Sequence, residues 1–172
     1  MNFEFTAEDG TTEQGMVIPF IEDARADFAP YYNSMRNHTL EKVQGAIGTE
    51  MGKLGGYIAA FVPGAFSMGG QKRYGYEIQF VIGGKPGLLR VAGLPIRSET
   101  DKKKLQVRIQ ALMNVADWLK SAVTAKVFSP GFHPLVPYML VDGTNKTIGE
   151  HLMERNNQPQ LTDVIDGVVV DE

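Results

Sequence analysis

The sequence predicts an α+β fold: an antiparallel β-sheet centred on a hairpin (about 57–97), packed against a long helix (about 100–128), with mobile acidic termini. Three observations carry that prediction. Residues 74–82 alternate with a period of two, which sets Tyr74, Tyr76, Ile78, Phe80 and Ile82 on one face and Glu77 and Gln79 on the other. A glycine- and proline-rich cluster at 83–87 follows, and a second apolar run at 88–96 returns from it, as in a hairpin. The period then changes to that of a helix. Leu105, Ile109, Leu112, Ala116, Leu119 and Val123 form one stripe, and Val107, Ala111, Val115, Trp118, Ala122 and Ala125 form a second.

Taken in chain order, the opening holds a Phe3/Phe5 alternation and an apolar run at 16–21 interrupted by Pro19, with an Asp9-Gly10 turn between them. Both fit short edge strands, because proline is confined to strand ends and edges. Met35, Leu40, Val43, Ile47, Met51 and Leu54 recur near the helical period, but Gly45, Gly48 and Gly52 weaken a helix by about 1 kcal/mol each relative to alanine. The spacing therefore predicts a helix over 36–47 and a looser glycine-rich remainder. Residues 57–62 read as a strand stopped by Pro63 and Gly64. For the hairpin, a two-residue turn centred on Gly84-Lys85 sets Arg90 beside Gln79 on the polar face, whereas a longer loop sets it opposite Phe80. The first is preferred, because a guanidinium buried against a phenyl ring is costly.

The long helix opens on Ser98, Glu99, Thr100 and Asp101, which supply N-cap candidates and first-turn acids, and ends at Ser129-Pro130-Gly131. Its two stripes cover about half the circumference or more, too wide an arc for one sheet face. The helix is thus expected to pack on a second surface, from this chain or another subunit. Gln106, Gln110, Asn114, Asp117 and Ser121 take the polar remainder. Residues 129–137 read as an irregular crossing and 138–141 as a short strand. Thr147 and Glu150 stand at capping-box spacing and open a short helix to about Arg155. One domain is expected over 1–155, followed by a mobile acidic tail over 156–172 whose Val168, Val169 and Val170 could dock on the body or on a partner.

The chain of 172 residues suits a single domain. It contains no cysteine, which excludes disulfides, thiolate zinc sites, iron–sulfur clusters and cysteine nucleophiles. The first residues lack the basic and apolar regions of a signal peptide, and the apolar run at 57–66 is too short and too interrupted to span a bilayer. The expectation is a cytoplasmic protein of a prokaryote or virus with no membrane partner.

Catalytic motifs fail on spacing. Gly48 and Gly52 before Lys53 are separated by three residues where a phosphate-binding loop has four, and Leu54 stands where that loop needs Ser or Thr. Gly64 lies three residues before Ser67, not the two of a nucleophile elbow. His38, His133 and His151 are far apart in sequence. His151 and Glu154, with Glu150, share a short helix, but such residues are far more often a solvated face than metal ligands. Glu77 and Asp117 are isolated, so no carboxylate pair suggests acid–base chemistry. No enzyme activity, metal or cofactor is expected.

The charge layout is the strongest lead. The net charge of −3 hides a division: residues 1–33 carry −6, residues 34–130 carry +8, and residues 131–172 carry −5. Within the basic middle, Lys72, Arg73, Lys85, Arg90 and Arg97 lie on or beside the hairpin, and Lys102, Lys103, Lys104 and Arg108 crowd the helix start. Tyr57, Tyr74 and Tyr76 are interleaved as stacking candidates. Cations for phosphates and rings for bases are what single-stranded nucleic acid requires. Lysines at a helix start also oppose the helix dipole unless an anion offsets them, whether a phosphate or the chain's own acidic ends. A three-strand-then-helix order also occurs in single-strand annealing proteins and other nucleic-acid binders, which is an analogy of element order and not a family likeness. The expectation is a non-enzymatic, oligomeric protein that binds single-stranded DNA or RNA on this basic surface, regulated by the acidic tail. The alternative is an assembly or adaptor subunit that oligomerises through the apolar face of helix 100–128, with the C-terminal tail open to a protein partner.

Overall fold

The structure is a computed structural model that describes residues 18–24, 38–68 and 70–156. The Phe3/Phe5 alternation and the tail from 157 onward lie outside the described residues. Helix α1 (Leu40–Lys53) leads into strands β1 (Gly56–Met68), β2 (Gln71–Ile82) and β3 (Lys85–Ala92), then helix α2 (Asp101–Phe128), a 3₁₀ turn (Val136–Tyr138) and helix α3 (Ile148–Asn156). The three strands form one antiparallel sheet in the order β1-β2-β3. The α+β class, the central hairpin and the long helix therefore stand as the sequence predicts.

Both long helices cover one face of the sheet. Val43, Ile47, Met51 and Leu54 of α1 meet Tyr76, Ile78 and Phe80 of β2, Leu89 of β3, and Ile109, Leu112, Ala116 and Leu119 of α2 in a continuous core. The second surface demanded by the wide apolar arc of α2 is thus α1, from the same chain. Three members of that arc stay outside: Leu105 and Ala125 are exposed, and Trp118 sits at the margin, edge-on to Tyr138 with ring centroids 5.3 Å apart. Gln110, assigned to the polar face, is buried instead.

Several sequence expectations are corrected by packing. Helix α1 begins after the N-cap Thr39, whose hydroxyl accepts from the Lys42 N–H at 3.3 Å, and it runs through all three glycines to Lys53. Burial of its apolar stripe outweighs their weak propensity. Strand β1 continues past Pro63, because it is an edge strand where a missing N–H breaks no ladder bond. A bulge between Ile58 and Ala60 breaks its alternation, so Ile58 opposes Phe80 and Phe61 opposes Ile78, both facing the helices.

The β2–β3 turn is Gly83-Gly84, with φ of +57° and +74°, rather than Gly84-Lys85. A tight hairpin turn of this kind needs positive φ at both central residues, which two glycines supply and Lys85 resists. Arg90 consequently faces Glu77, not Gln79. The polar face is kept, because the slip is two residues, and a charge pair is gained. Strand β3 ends at Ala92, short of the expected 96.

Residues 138–141 form no strand. Tyr138 closes the 3₁₀ turn, while Met139 and Leu140 make single bridges to Gly87 and Thr147. The described part of the run at 16–21 is a turn, not an edge strand: Ala24 N–H donates to Phe20 O at 3.0 Å, and Ile21 N–H donates to Pro95 O at 2.9 Å. Helix α3 opens on the expected reciprocal cap. Glu150 N–H donates to Thr147 Oγ1 at 3.2 Å, and Thr147 N–H donates to Glu150 Oε2 at 2.8 Å.

Candidate nucleic-acid interface

The sheet register divides the nine basic candidates between two ends of the domain. Strands β1 and β2 close at Met68 and Gln71, beside the start of α2; Gly56 and Ile82 mark the opposite end, beside the end of α2. Lys126 Nζ donates to Leu54 O at 3.3 Å, which fixes that polarity. Lys72, Arg73, Arg97, Lys102, Lys103, Lys104 and Arg108 gather at the first end, Lys85 sits at the second, and Arg90 lies in mid-sheet.

At the first end the organising residue is Tyr74. Its ring is ringed by cations: Lys104 Nζ lies 5.0 Å from the centroid, Lys72 Nζ 5.2 Å and Arg108 Cζ 5.5 Å. Its hydroxyl donates to Glu99 Oε2 at 2.7 Å. That bond, with burial opposing it and Lys104 nearby, holds the Glu99 carboxyl below the ordinary range. Contact with Tyr74, and then the nearby Glu99 carboxylate, push Lys72 upward. Residues 70–76 and 97–108 carry seven bases against two acids, Glu99 and Asp101. Lys102 is exposed and makes no ion pair among the described residues.

Other expected contacts are spent on the fold. Arg73 donates to Gly93 O at 2.8 Å and Ala92 O at 3.3 Å, clamping the end of β3, and burial lowers its pKa. Arg90 bonds Glu77 at 2.9 Å, Glu150 of α3 and the Asn145 carbonyl at 3.2 Å. It borders a cavity of about 540 Å³ with Leu88, Tyr138, Thr147 and Glu150, yet its charge is balanced there by the two carboxylates. Glu154 pairs with Lys146 at 2.7 Å, and no group of three His, Asp or Glu among the described residues is placed to hold a metal. His133 shares Leu54 O with Lys126 at 3.0 Å, where both face the C-terminal end of α1.

Two of the three stacking candidates are corrected. Tyr74 is 6% exposed and Tyr76 5%, because the alternation that pairs them with Ile78 and Phe80 turns them toward α2, so neither ring offers a face to a base. Tyr76 packs edge-on against Phe61. Tyr57 is 61% exposed, but it pairs with Val81 at the far end of the sheet from the basic cluster.

Sequence reasoning missed the segment 18–24. Ile21 is buried with Tyr74, Leu94 and Val107 in a small second core. The neighbouring Glu22 carboxylate accepts from the backbone N–H of Arg97 and of Ser98, each at 3.1 Å, and from Lys103 Nζ at 2.8 Å. Burial opposes its ionisation, but these donors outweigh that and hold its pKa at about 2. Asp23 pairs with the Arg97 guanidinium, which also lies 4.9 Å over the Phe20 ring. Two of the expected contacts, Arg97 and Lys103, are thus met by the chain's own acids. The apolar run at 16–21 beside Glu22-Asp23 is the one sequence signal of that docking.

No helix among the described residues is long and apolar enough to cross a membrane. Comparison with protein-family models, with curated proteins and with solved structures finds no match.

Proposed function

We propose that the protein binds single-stranded nucleic acid, DNA or RNA, without catalysing a reaction on it, along the basic surface where β2 meets the start of α2. The observation that carries this reading is the convergence of Lys72, Lys104 and Arg108 around Tyr74, with the exposed Lys102 beside them. Like charges crowded together repel, and a polyanion that displaces its counterions removes that cost. Lys72, Lys102, Lys104 and Arg108 are the contacts assigned to phosphates; Arg73 and Arg90 are assigned to the fold. Tyr74 holds the cations in place rather than stacking on a base. The acidic C-terminal tail competes for the same surface, and the protein works in the cytoplasm, where its polyanion is found.

A second reading, an assembly subunit, has its own support. Val127, Phe128 and Phe132 are exposed at the end of α2, with Phe128 at 81%. The helical arc expected to drive oligomerisation is itself covered by α1, so an assembly would use this end of the helix instead.

Titration of labelled single- and double-stranded oligonucleotides with the full chain, and with a version ending at Asn156, tests the first reading. Binding is expected to weaken steeply with salt and to tighten when the tail is removed. Charge reversal of Lys102, Lys103 and Lys104 to glutamate should abolish it. If neither version binds at low salt, the nucleic-acid reading falls, and light scattering of the Phe128→Ser variant then examines assembly.

A further inference from the structure

Glu22 fills a small cradle of hydrogen-bond donors. Its carboxylate is met by two backbone N–H groups, those of Arg97 and Ser98, and by the Lys103 ammonium, while the Arg97 guanidinium beside it is taken by Asp23. The two N–H groups precede the N-cap Thr100, so the cradle belongs to the loop between β3 and α2 and not to the helix end. Arg97 and Ser98 are exposed, and the Glu22 side chain is 21% exposed, so the cradle lies at the surface within reach of an incoming chain. Lys104, one residue from Lys103, belongs to the basic cluster around Tyr74, so cradle and cluster form one continuous surface.

We infer that the Arg97–Ser98–Lys103 cradle is a phosphate-binding site, and that segment 18–24 is a built-in competitor whose Glu22 and Asp23 carboxylates mask it. The inference rests on the nucleic-acid reading for its natural ligand, a phosphodiester of the bound strand; the chemistry of the cradle is that of any phosphate group. Three features support the masking role. The acids are matched to donors one by one, not merely nearby. The segment is anchored independently of its charges, through Ile21 in the second core and the Ile21 N–H bond to Pro95 O. The carboxylates can therefore swing aside and return while the segment stays attached. Finally, unmasking raises the local excess of bases over acids from three to five, counting residues 18–24, 70–76 and 97–108.

The test uses the full chain with Glu22→Ala and Asp23→Ala together, and with Glu22→Gln and Asp23→Asn as a shape-preserving pair whose folding is checked by thermal melting. Two probes are titrated: labelled oligothymidylate by anisotropy, and inorganic pyrophosphate by the backbone amide resonances of Arg97 and Ser98. Two newly available contacts should tighten oligothymidylate binding by about tenfold or more near ~0.1 M salt and steepen its salt slope by about 1.4. Pyrophosphate should shift the Arg97 and Ser98 amides in both variants and far less in the native chain. If the native chain binds oligothymidylate and the variants bind it no better, the masking inference is overturned while the function stands. If no chain binds oligothymidylate but pyrophosphate still moves those amides, the nucleic-acid reading fails and the cradle remains a site for a free phosphate group. Amides that stay still in both variants overturn the cradle itself.

Discussion

The salt dependence of binding distinguishes the structure's account of the basic surface from the one drawn from the sequence. Each phosphate contact on a single strand contributes about −0.7 to the slope of log affinity against log salt. Nine contacts, as the sequence suggests, give a slope of about −6.3. The structure assigns Arg73 and Arg90 to the fold, Arg97 and Lys103 to Glu22 and Asp23, and Lys85 to the opposite end. Four contacts remain when the 3.5 Å Lys104–Glu99 pair and the 3.4 Å bond from Arg108 Nη2 to Gly64 O are taken to yield to phosphate, so the slope should be about −2.8, a loss of about 50-fold in affinity between about 50 and 200 mM salt. Replacing Lys72 and Lys102 with glutamine, both exposed and outside the core, should halve the slope to about −1.4 and reduce that loss to about sevenfold. Fluorescence anisotropy at four salt concentrations measures it directly. A native slope near −6, or one that the two substitutions leave unchanged, would show that the assignment of contacts is wrong.

The remaining expectations concern the scaffold and its acids. A Cβ on Gly87 would lie 2.1 Å from Phe80 Cζ, and Phe80 is almost wholly buried, so Gly87→Ala should cost about 1–3 kcal/mol and lower the melting temperature by about 2–12 °C. Gly45→Ala should do the reverse and stabilise by about 0.5–1 kcal/mol, because the added methyl meets nothing within 4 Å on the exposed face of α1. Glu150→Ala removes both the reciprocal cap of α3 and a partner of Arg90; faster amide exchange confined to α3, at a global cost of about 1 kcal/mol, is the expected signature. Glu22 titrates at about 2 when docked, against an ordinary carboxyl value of 4.5. A depressed carboxyl stabilises its bound state fully above the ordinary value and loses that contribution as pH falls through the docked one. Amide protection at Arg97 and Ser98 should therefore decline between pH 4.5 and about 2, and the Glu22→Gln variant should show no such step.

Local rules made the central elements legible. Period two in β2 and the stripes of α2 depend on residues a few positions apart, and each appears where the spacing puts it. Where the chain departs from expectation, a distant partner has decided. The glycines of α1 are tolerated because β2 and α2 bury Ile47 and Met51. Pro63 is tolerated because, among the described residues, no strand pairs with the outer side of β1. The turn register moved because two glycines satisfy a backbone requirement that Gly-Lys does not, and the same move brought Arg90 to Glu77. The candidate site was less legible. Which cation meets which carboxylate depends on separations of 81 residues for Glu22 with Lys103 and 60 for Arg90 with Glu150. Local spacing carries no information at that range.

The acidic segment is held by an apolar contact as well as by charge, and this bears on how it can act. The Arg97–Asp23 pair has side chains 57% and 50% exposed, where water and salt screen it, whereas Lys103 and Glu22 are 29% and 21% exposed and are screened less, so Glu22 is the stronger of the two charge contacts. Burying Ile21 contributes about 1.5–3 kcal/mol, and Ile18 and Ala24 pack beside it. The small core around Tyr74 adds an anchor that salt does not screen, and it holds the carboxylates at the cradle. The same tyrosine that carries Ile21 on one side gathers Lys72, Lys104 and Arg108 on another, so masking segment and basic cluster share a single support. Two consequences differ in kind. Neutralising Glu22 and Asp23 should leave the segment attached and its effect on affinity screened away at high salt. Ile21→Ser should detach the segment at every salt concentration, read as loss of protection at the Ile21 amide, which now donates to Pro95. A segment that stays protected in the Ile21→Ser variant would mean that charge, not burial, holds it in place.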